Sequence, residues 1–226
     1  YSASISISGR EERIQNKGEK AILKLLDSKV TQAEMSLRDQ LDINLWASAT
    51  TGTNILALPT IVDTTTTIAD VSKSANSWWQ AQVNASGSFA AQGKTDMNTT
   101  YNEILNQSMD NTGPDFICGT QAVYEFYENS LTAQLRYTDN KFADAGFENL
   151  KYKGATMTFD GNTPSGTLFF LRSENLKLVT NEATNFITTP FIKPDNQDAK
   201  VAQILWAGQV VSDNNRKLGK MTGITA

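Results

Sequence analysis

This 226-residue chain has no histidine and one cysteine, so its carboxylates are the first candidates for acid–base work. A glycosidase needs two carboxyl groups on opposite sides of one bond, and Asp96, Glu103, Glu125, Glu128, Asp139 and Asp144 are of the right type. Their spacing singles out no pair, and solvated helix faces account for them. Without His there is no Ser–His or Cys–His nucleophile and no His-ligated zinc. With Cys118 alone there is no Cys-x-x-Cys couple and no four-cysteine metal site. Cys118 stands in the apolar run Phe116-Ile117-Cys118-Gly119 and reads as a small buried hydrophobe. No phosphate-binding glycine loop, dinucleotide fingerprint, nucleophile elbow or calcium loop stands in the context it needs. No catalytic residue, cofactor or metal ligand is assigned, and the chain is not read as an enzyme.

Two charged clusters remain. Arg10, Glu11, Glu12 and Arg13 are four adjacent charges at the start of a helical pattern, so at least two must point away from its buried stripe. Arg216 and Lys217, with Lys220 nearby, form a basic cluster too small for a nucleic-acid site and suited to a solvated or interface turn. Arg10, Glu11, Glu12, Arg13, Arg216 and Lys217 are therefore the candidate intersubunit contacts. The net charge of −4 and pI near 5.0 exclude a broadly basic nucleic-acid binder. Only 19% of residues are charged, against 17 Ser, 26 Thr and 19 Asn, a polar surface that is easily desolvated against a neighbour. Glycosylation sequons at Asn84, Asn98 and Asn106 are no more than chance gives with that composition. No apolar run is long enough to span a membrane.

The elements that must carry these residues follow from periodicity. Tyr1 to Ser8 alternates apolar and Ser positions, a strand with one covered face. It opens at Tyr1 in mid-pattern, so a segment upstream is expected, and its pairing partner is expected upstream or on another molecule. Ser8 and Glu11 have capping-box spacing. From there Ile14, Ala21, Ile22, Leu25, Leu26, Val30, Ala33, Leu37, Leu41 and Leu45 step mostly by threes and fours, predicting one long helix over 10–47. It would span roughly 57 Å, or about 42 Å if Gly18 breaks it. A compact chain of this size is only about 45 Å across.

Beyond the helix, a short buried strand is expected at 55–62 and an edge strand around Trp78-Trp79, then helices at 95–109 and 120–134 with a strand at 115–118 between them. Strands at 152–159, 167–171 and 177–179 follow, and a long one at 199–211. The fold class is α+β. An α/β lobe inserted into a unit begun by the helix and completed by the C-terminal strands is an odd plan for a monomeric enzyme.

Specific residues carry a resemblance. Ser8-Gly9-Arg10-Glu11-Glu12 leads into Asn16-Lys17-Gly18-Glu19-Lys20. Leu45-Trp46, Asn76-Ser77-Trp78-Trp79, Pro190-Phe191 and Pro194-Asp195-Asn196-Gln197-Asp198-Ala199-Lys200-Val201 follow, and the chain closes on Ile204-Leu205-Trp206-Ala207-Gly208 and Thr222-Gly223-Ile224. Together, and in this order over essentially the whole chain, they resemble the major capsid proteins of tailed bacteriophages. The resemblance implies the Hong Kong 97-type capsid fold shared with herpesviruses. Under it Tyr1 to Ser8 is the returning strand of an extended loop, and 9–90 with 183–226 form the peripheral domain around a spine helix over 10–47. Residues 91–182 form the axial domain.

The same resemblance implies a structural protein that self-assembles as hexamers and pentamers into an icosahedral shell enclosing double-stranded DNA without sequence-specific binding. Its further partners would be scaffolding, portal and decoration proteins, and no membrane. Its place would be the virion, after assembly in the bacterial host cytoplasm. A negative chain suits that role, since a shell that gripped its genome would oppose packaging and release. The competing reading, motivated by the sequons and the Thr/Asn richness, is a secreted polar-surfaced hydrolase or carbohydrate-binding domain.

Overall fold

The computed structural model describes residues 1–11, 13, 19–131 and 150–226, with side chains omitted for 19–24. The chain divides into two compact units. The first is Tyr1–Asn44, Gly52–Ile55 and Leu178–Gln209; the second is Leu45–Thr51, Leu56–Lys177 and Val210–Ala226.

The first unit is a helix on a three-stranded sheet. Strand β1 (Ser2–Ser8) pairs antiparallel with β10 (Ala199–Ser212), which lies between β1 and β9 (Leu176–Thr188). The expectation of a partner upstream or on another molecule is corrected for one edge of β1: β10 of this chain pairs with it, in register from Ser2↔Leu205 to Ser8↔Ala199. The alternation holds along β1, but a strand almost 200 residues away leaves no local trace in the sequence. Ile5 and Ile7 are buried while Ser2, Ser4, Ser6 and Ser8 are exposed.

Helix α1 (Glu19–Leu45) runs alongside β1, with Lys29, Gln32, Ala33 and Ser36 lining a groove shared with Ala3 and Ile5. Its 27 residues rise about 40 Å, and Leu37 is its most deeply buried described position. The expected start of this helix at residues 12 and 14–18, Gly18 included, lies outside the described residues. An aromatic row crosses the sheet beneath it. Tyr1 and Trp206 rings are 5.8 Å apart, Trp206 and Phe186 6.3 Å, and the Arg38 guanidinium lies 5.4 Å from the Phe186 centroid. Phe186 holds φ +53°, a left-handed turn inside β9. Such a conformation costs a non-glycine residue, and the packing of its ring against Trp206 and Arg38 offsets it. The structure joins the predicted segment 177–179 to this turn as one strand.

The second unit is built on a six-stranded mixed sheet in the order β4-β11-β8-β5-β7-β6, made by Gln82–Ala85, Gly219–Thr222, Leu168–Leu171, Phe116–Gly119, Ala155–Phe159 and Leu150–Tyr152. Thr67–Ile68 (β2) and Val71–Ser72 (β3) form a separate small hairpin. Strand β8 is buried at every position and pairs antiparallel with both β5 and β11, as a central strand must. Helices α3 (Lys94–Gln107) and α4 (Gln121–Ser130) supply Met97, Ile104, Val123 and Tyr127 to its core, with Met157, Phe170 and Met221 from the sheet. The expected continuation of α4 to 134 falls outside the described residues. Because β4 and β11 hydrogen-bond into this sheet, segments 56–90 and 210–226 pack with the middle of the chain.

Three local expectations are corrected. The predicted strand at 55–62 contains a short helix, α2 (Leu58–Ile61), because Pro59 has the fixed φ that suits a first helical turn. Trp78 and Trp79 lie in a 3₁₀ turn, Ser77–Trp79, rather than on a strand. The run 152–159 is a hairpin rather than one strand: Lys153 and Gly154 both have positive φ, +48° and +91°, the geometry of a tight two-residue turn.

Candidate assembly surface

The N-terminal charged cluster is placed by β1. Glu11 and Ser8 form the reciprocal bonds of a capping box: the Ser8 N–H donates to Glu11 Oε2 at 3.0 Å and the Glu11 N–H donates to Ser8 Oγ at 3.3 Å. Lys29 on α1 donates to the same carboxylate at 2.9 Å, and its ammonium, followed by the Ser8 amide, holds Glu11 below the usual carboxylate range. Arg13 pairs with Asp198, which also lies 3.4 Å from Lys193. Gly9 packs so tightly there that a Cβ would enter the Asp198 carboxylate. Arg10 is exposed, and Glu12 lies outside the described residues.

The C-terminal cluster belongs to the second unit. Arg216 follows the Asn214 cap and donates to Gln107 Oε1 on α3, while Lys217 pairs with Asp110 at 2.7 Å. The Lys217 ammonium and the hydroxyls of Ser108 and Thr112 hold the Asp110 carboxyl well below its ordinary range. Of the six candidate contacts, Glu11, Arg13, Arg216 and Lys217 have partners within their own unit.

Sequence reasoning missed a buried ionic cluster. Lys73 is wholly buried and donates to the Thr60 and Ile61 carbonyls at 3.0 and 2.6 Å, closing the C-terminal end of α2. Lys220 donates to the Pro59 carbonyl at 3.1 Å and sits 3.6 Å from Asp63. Burial lowers the Lys73 pKa to about 8, partly opposed by Asp63. For Asp63, burial works against the charge, but bonds from the Thr65 hydroxyl and N–H together with Lys220 prevail and hold it at about 2. Lys73 stands in Ser72-Lys73-Ser74, which reads as a surface turn, so nothing in the sequence marks it.

Cys118 is buried, within 4.0 Å of the Thr163 hydroxyl. Among the described residues no group of three His, Cys, Asp or Glu side chains is arranged to hold a metal, and no helix is long and apolar enough to cross a membrane. A cavity of about 530 Å³ lies between Phe89, Phe126 and Lys94 in the second unit. Its rings are tilted at 33° with centroids 6.1 Å apart.

No protein-family profile and no characterised protein matches the sequence. In three dimensions the chain is similar to shell proteins over its whole length. The cyanophage A-1(L) capsid subunit superposes with a TM-score of 0.67 at 12% identity, covering 100% of this chain and 78% of that one. An encapsulin, SrpI of Synechococcus elongatus PCC 7942, gives 0.65 at 8% identity over 99% and 73%. The capsid protein of an Escherichia coli CFT073 prophage gives 0.58 at 10% identity over 99% and 76%. The architecture is that of a viral-type shell protein. More narrowly, the chain has the α+β fold of phage major capsid proteins.

Proposed function

We propose that this chain is a structural subunit, not an enzyme, that assembles as hexamers and pentamers into an icosahedral capsid of the Hong Kong 97 type around double-stranded DNA. The observation that carries this reading is the structural match to the cyanophage capsid subunit over 100% of the chain. Its negative charge and its uncharged polar surface support it. In this reading α1 is the spine of a peripheral domain, the segment 91–182 is the axial domain, and Tyr1–Ser8 is the returning strand of the extended loop. Scaffolding, portal and decoration proteins would be its further partners, assembly would take place in the host cytoplasm, and the virion would be its destination. The six charged residues Arg10, Glu11, Glu12, Arg13, Arg216 and Lys217 would lie near contacts between neighbouring subunits.

Negative-stain electron microscopy of the expressed protein tests the proposal. Closed particles or rings of five and six subunits are expected. A monodisperse monomer under every assembly condition overturns it.

A further inference from the structure

The turn between β6 and β7 departs from the residues its geometry favours. A two-residue turn with both central residues left-handed takes Asn-Gly, Asp-Gly or Gly-Gly, because those residues tolerate positive φ. Here the first position is Lys153, at φ +48°, followed by Gly154 at +91°. A lysine in that conformation is strained, and the pairing of Tyr152 with Ala155 across the turn does not call for one. Such a departure points to a role for the side chain.

That role lies in what Lys153 grips. Asn98, Tyr101 and Asn102 are spaced by three and four residues on α3, so they share one face of the helix. The Lys153 ammonium donates to Asn98 Oδ1 and, at 3.0 Å, to Asn102 Oδ1. It lies 4.8 Å from the centroid of the Tyr101 ring and 5.9 Å from that of Tyr152, within reach of a cation–π attraction to both. These two rings meet edge to face, 5.9 Å apart at 78°. The Tyr101 hydroxyl also donates to the Lys153 carbonyl at 3.3 Å, and a Cβ on Gly113 would overlap that hydroxyl. The base of the hairpin is anchored in another way. Leu150 is buried in the core, and the Tyr127 hydroxyl donates to the Lys151 carbonyl at 3.2 Å. Strand β6 is the last of its sheet and pairs with β7 alone, while Lys153 and Gly154 at the tip are exposed. Burial therefore holds the base, and the contacts of one lysine hold the tip.

We propose that Lys153 is a latch: its charge keeps the turn 152–155 against α3, and without that charge the turn opens locally while the rest of the second unit stays folded. The device is internal to the second unit and acts whether or not the subunit assembles, so it goes beyond the shell reading and stands apart from it.

Amide hydrogen exchange of the full chain, read by mass spectrometry on peptides spanning 150–157, tests the latch. Lys153→Met keeps the length of the side chain and removes its charge, whereas Lys153→Arg keeps the charge. Exchange at the turn is expected to quicken about fivefold or more in Lys153→Met and to stay near the parent in Lys153→Arg. Exchange in the central strands β5 and β8 and the melting temperature should be unchanged in both. Tyr101→Leu should quicken exchange at the same residues, and adding Lys153→Met to it should have less effect than in the parent, because the two side chains share one contact. Exchange at the turn that is the same in Lys153→Met as in the parent overturns the proposal. So does equal acceleration in Lys153→Arg and Lys153→Met, which would take the charge out of the latch, or acceleration spread evenly over β5 and β8, which would make Lys153 a part of global stability. Strictly additive effects of Lys153→Met and Tyr101→Leu would overturn it as well. None of these readings requires particles to form, so failure of the latch and failure of the shell reading are seen separately.

Discussion

Replacing Ile5 by Ala probes whether β1 is part of the body of the first unit. Ile5 is 3% exposed, on the strand face beneath α1, and its backbone lies opposite Ala202 of β10. Truncating a buried Ile removes three carbons and leaves a cavity that the paired sheet cannot collapse, a loss of about 2–5 kcal/mol. Domain stability is only about 5–15 kcal/mol, so this is a substantial fraction of the whole. For a chain of this size it corresponds to a fall in melting temperature of roughly 4–20 °C at ~2–4 °C per kcal/mol. The control is Ser6→Ala on the opposite, exposed face, for which a change within about 0.5 kcal/mol is expected. Urea unfolding followed by tryptophan fluorescence reads both, since Trp206 packs in the same sheet. Equal losses for the two variants, or an Ile5→Ala loss below about 0.5 kcal/mol, would refute the placement of β1 in the core. By the same reasoning removal of residues 1–7 unfolds the first unit, the reverse of the outcome expected for a strand that pairs outside the subunit.

Further outcomes follow from the same geometry. Leu37→Asp, at 4% exposure on α1, should cost several kcal/mol and abolish the cooperative transition of the first unit, whereas half-buried Leu25→Asp should cost less; circular dichroism of both variants checks the order. Lys73 has a folded pKa of about 8 against about 10.4 unfolded, so between those values the unfolded chain holds a proton that the folded chain has released. Its contribution to stability therefore rises as pH increases from about 8 to 10.4, and the parent should gain relative to Lys73→Met over that window in pH-dependent urea titrations; a parallel pair of curves would refute it. Asp63, whose pKa folding also lowers, has the same sign in an acid window: its stabilisation is complete above about 4 and lost as pH falls towards about 2, so Asp63→Asn should flatten the acid limb of the same titration. Arg13→Glu places like charge beside Asp198 on an exposed surface and should change subunit stability by no more than about 1 kcal/mol while lowering the yield of closed particles seen by electron microscopy.

Much of the local structure was legible because it is written in short periods. The alternation of Tyr1–Ser8, the three–four spacing through Leu37 and Leu45, the Ser8–Glu11 cap and the long apolar run of β10 each specify an element from neighbouring residues, and the structure bears each out. Where turn chemistry competed with an apolar run, the pattern misled. Pro59 turned a buried segment into helix, and the left-handed Lys153 and Gly154 folded one predicted strand into two.

The pairing of elements far apart in the chain was decided only by tertiary structure. That β1 lies against β10, that β4 and β11 enter the sheet of β8 and β5, and that Lys73 ends up beneath α2 all depend on which apolar faces find each other. Such contacts leave no periodic signal. Which backbone groups of Ser2, Ser4 and Ser6 point away from β10 is settled only once β10 has taken its edge of the strand. An alternating strand, a long amphipathic helix and the lack of histidine chemistry are already written in the order of residues. Which edge of that strand faces outward was left to the fold, because a backbone N–H carries no identity until its neighbour is chosen.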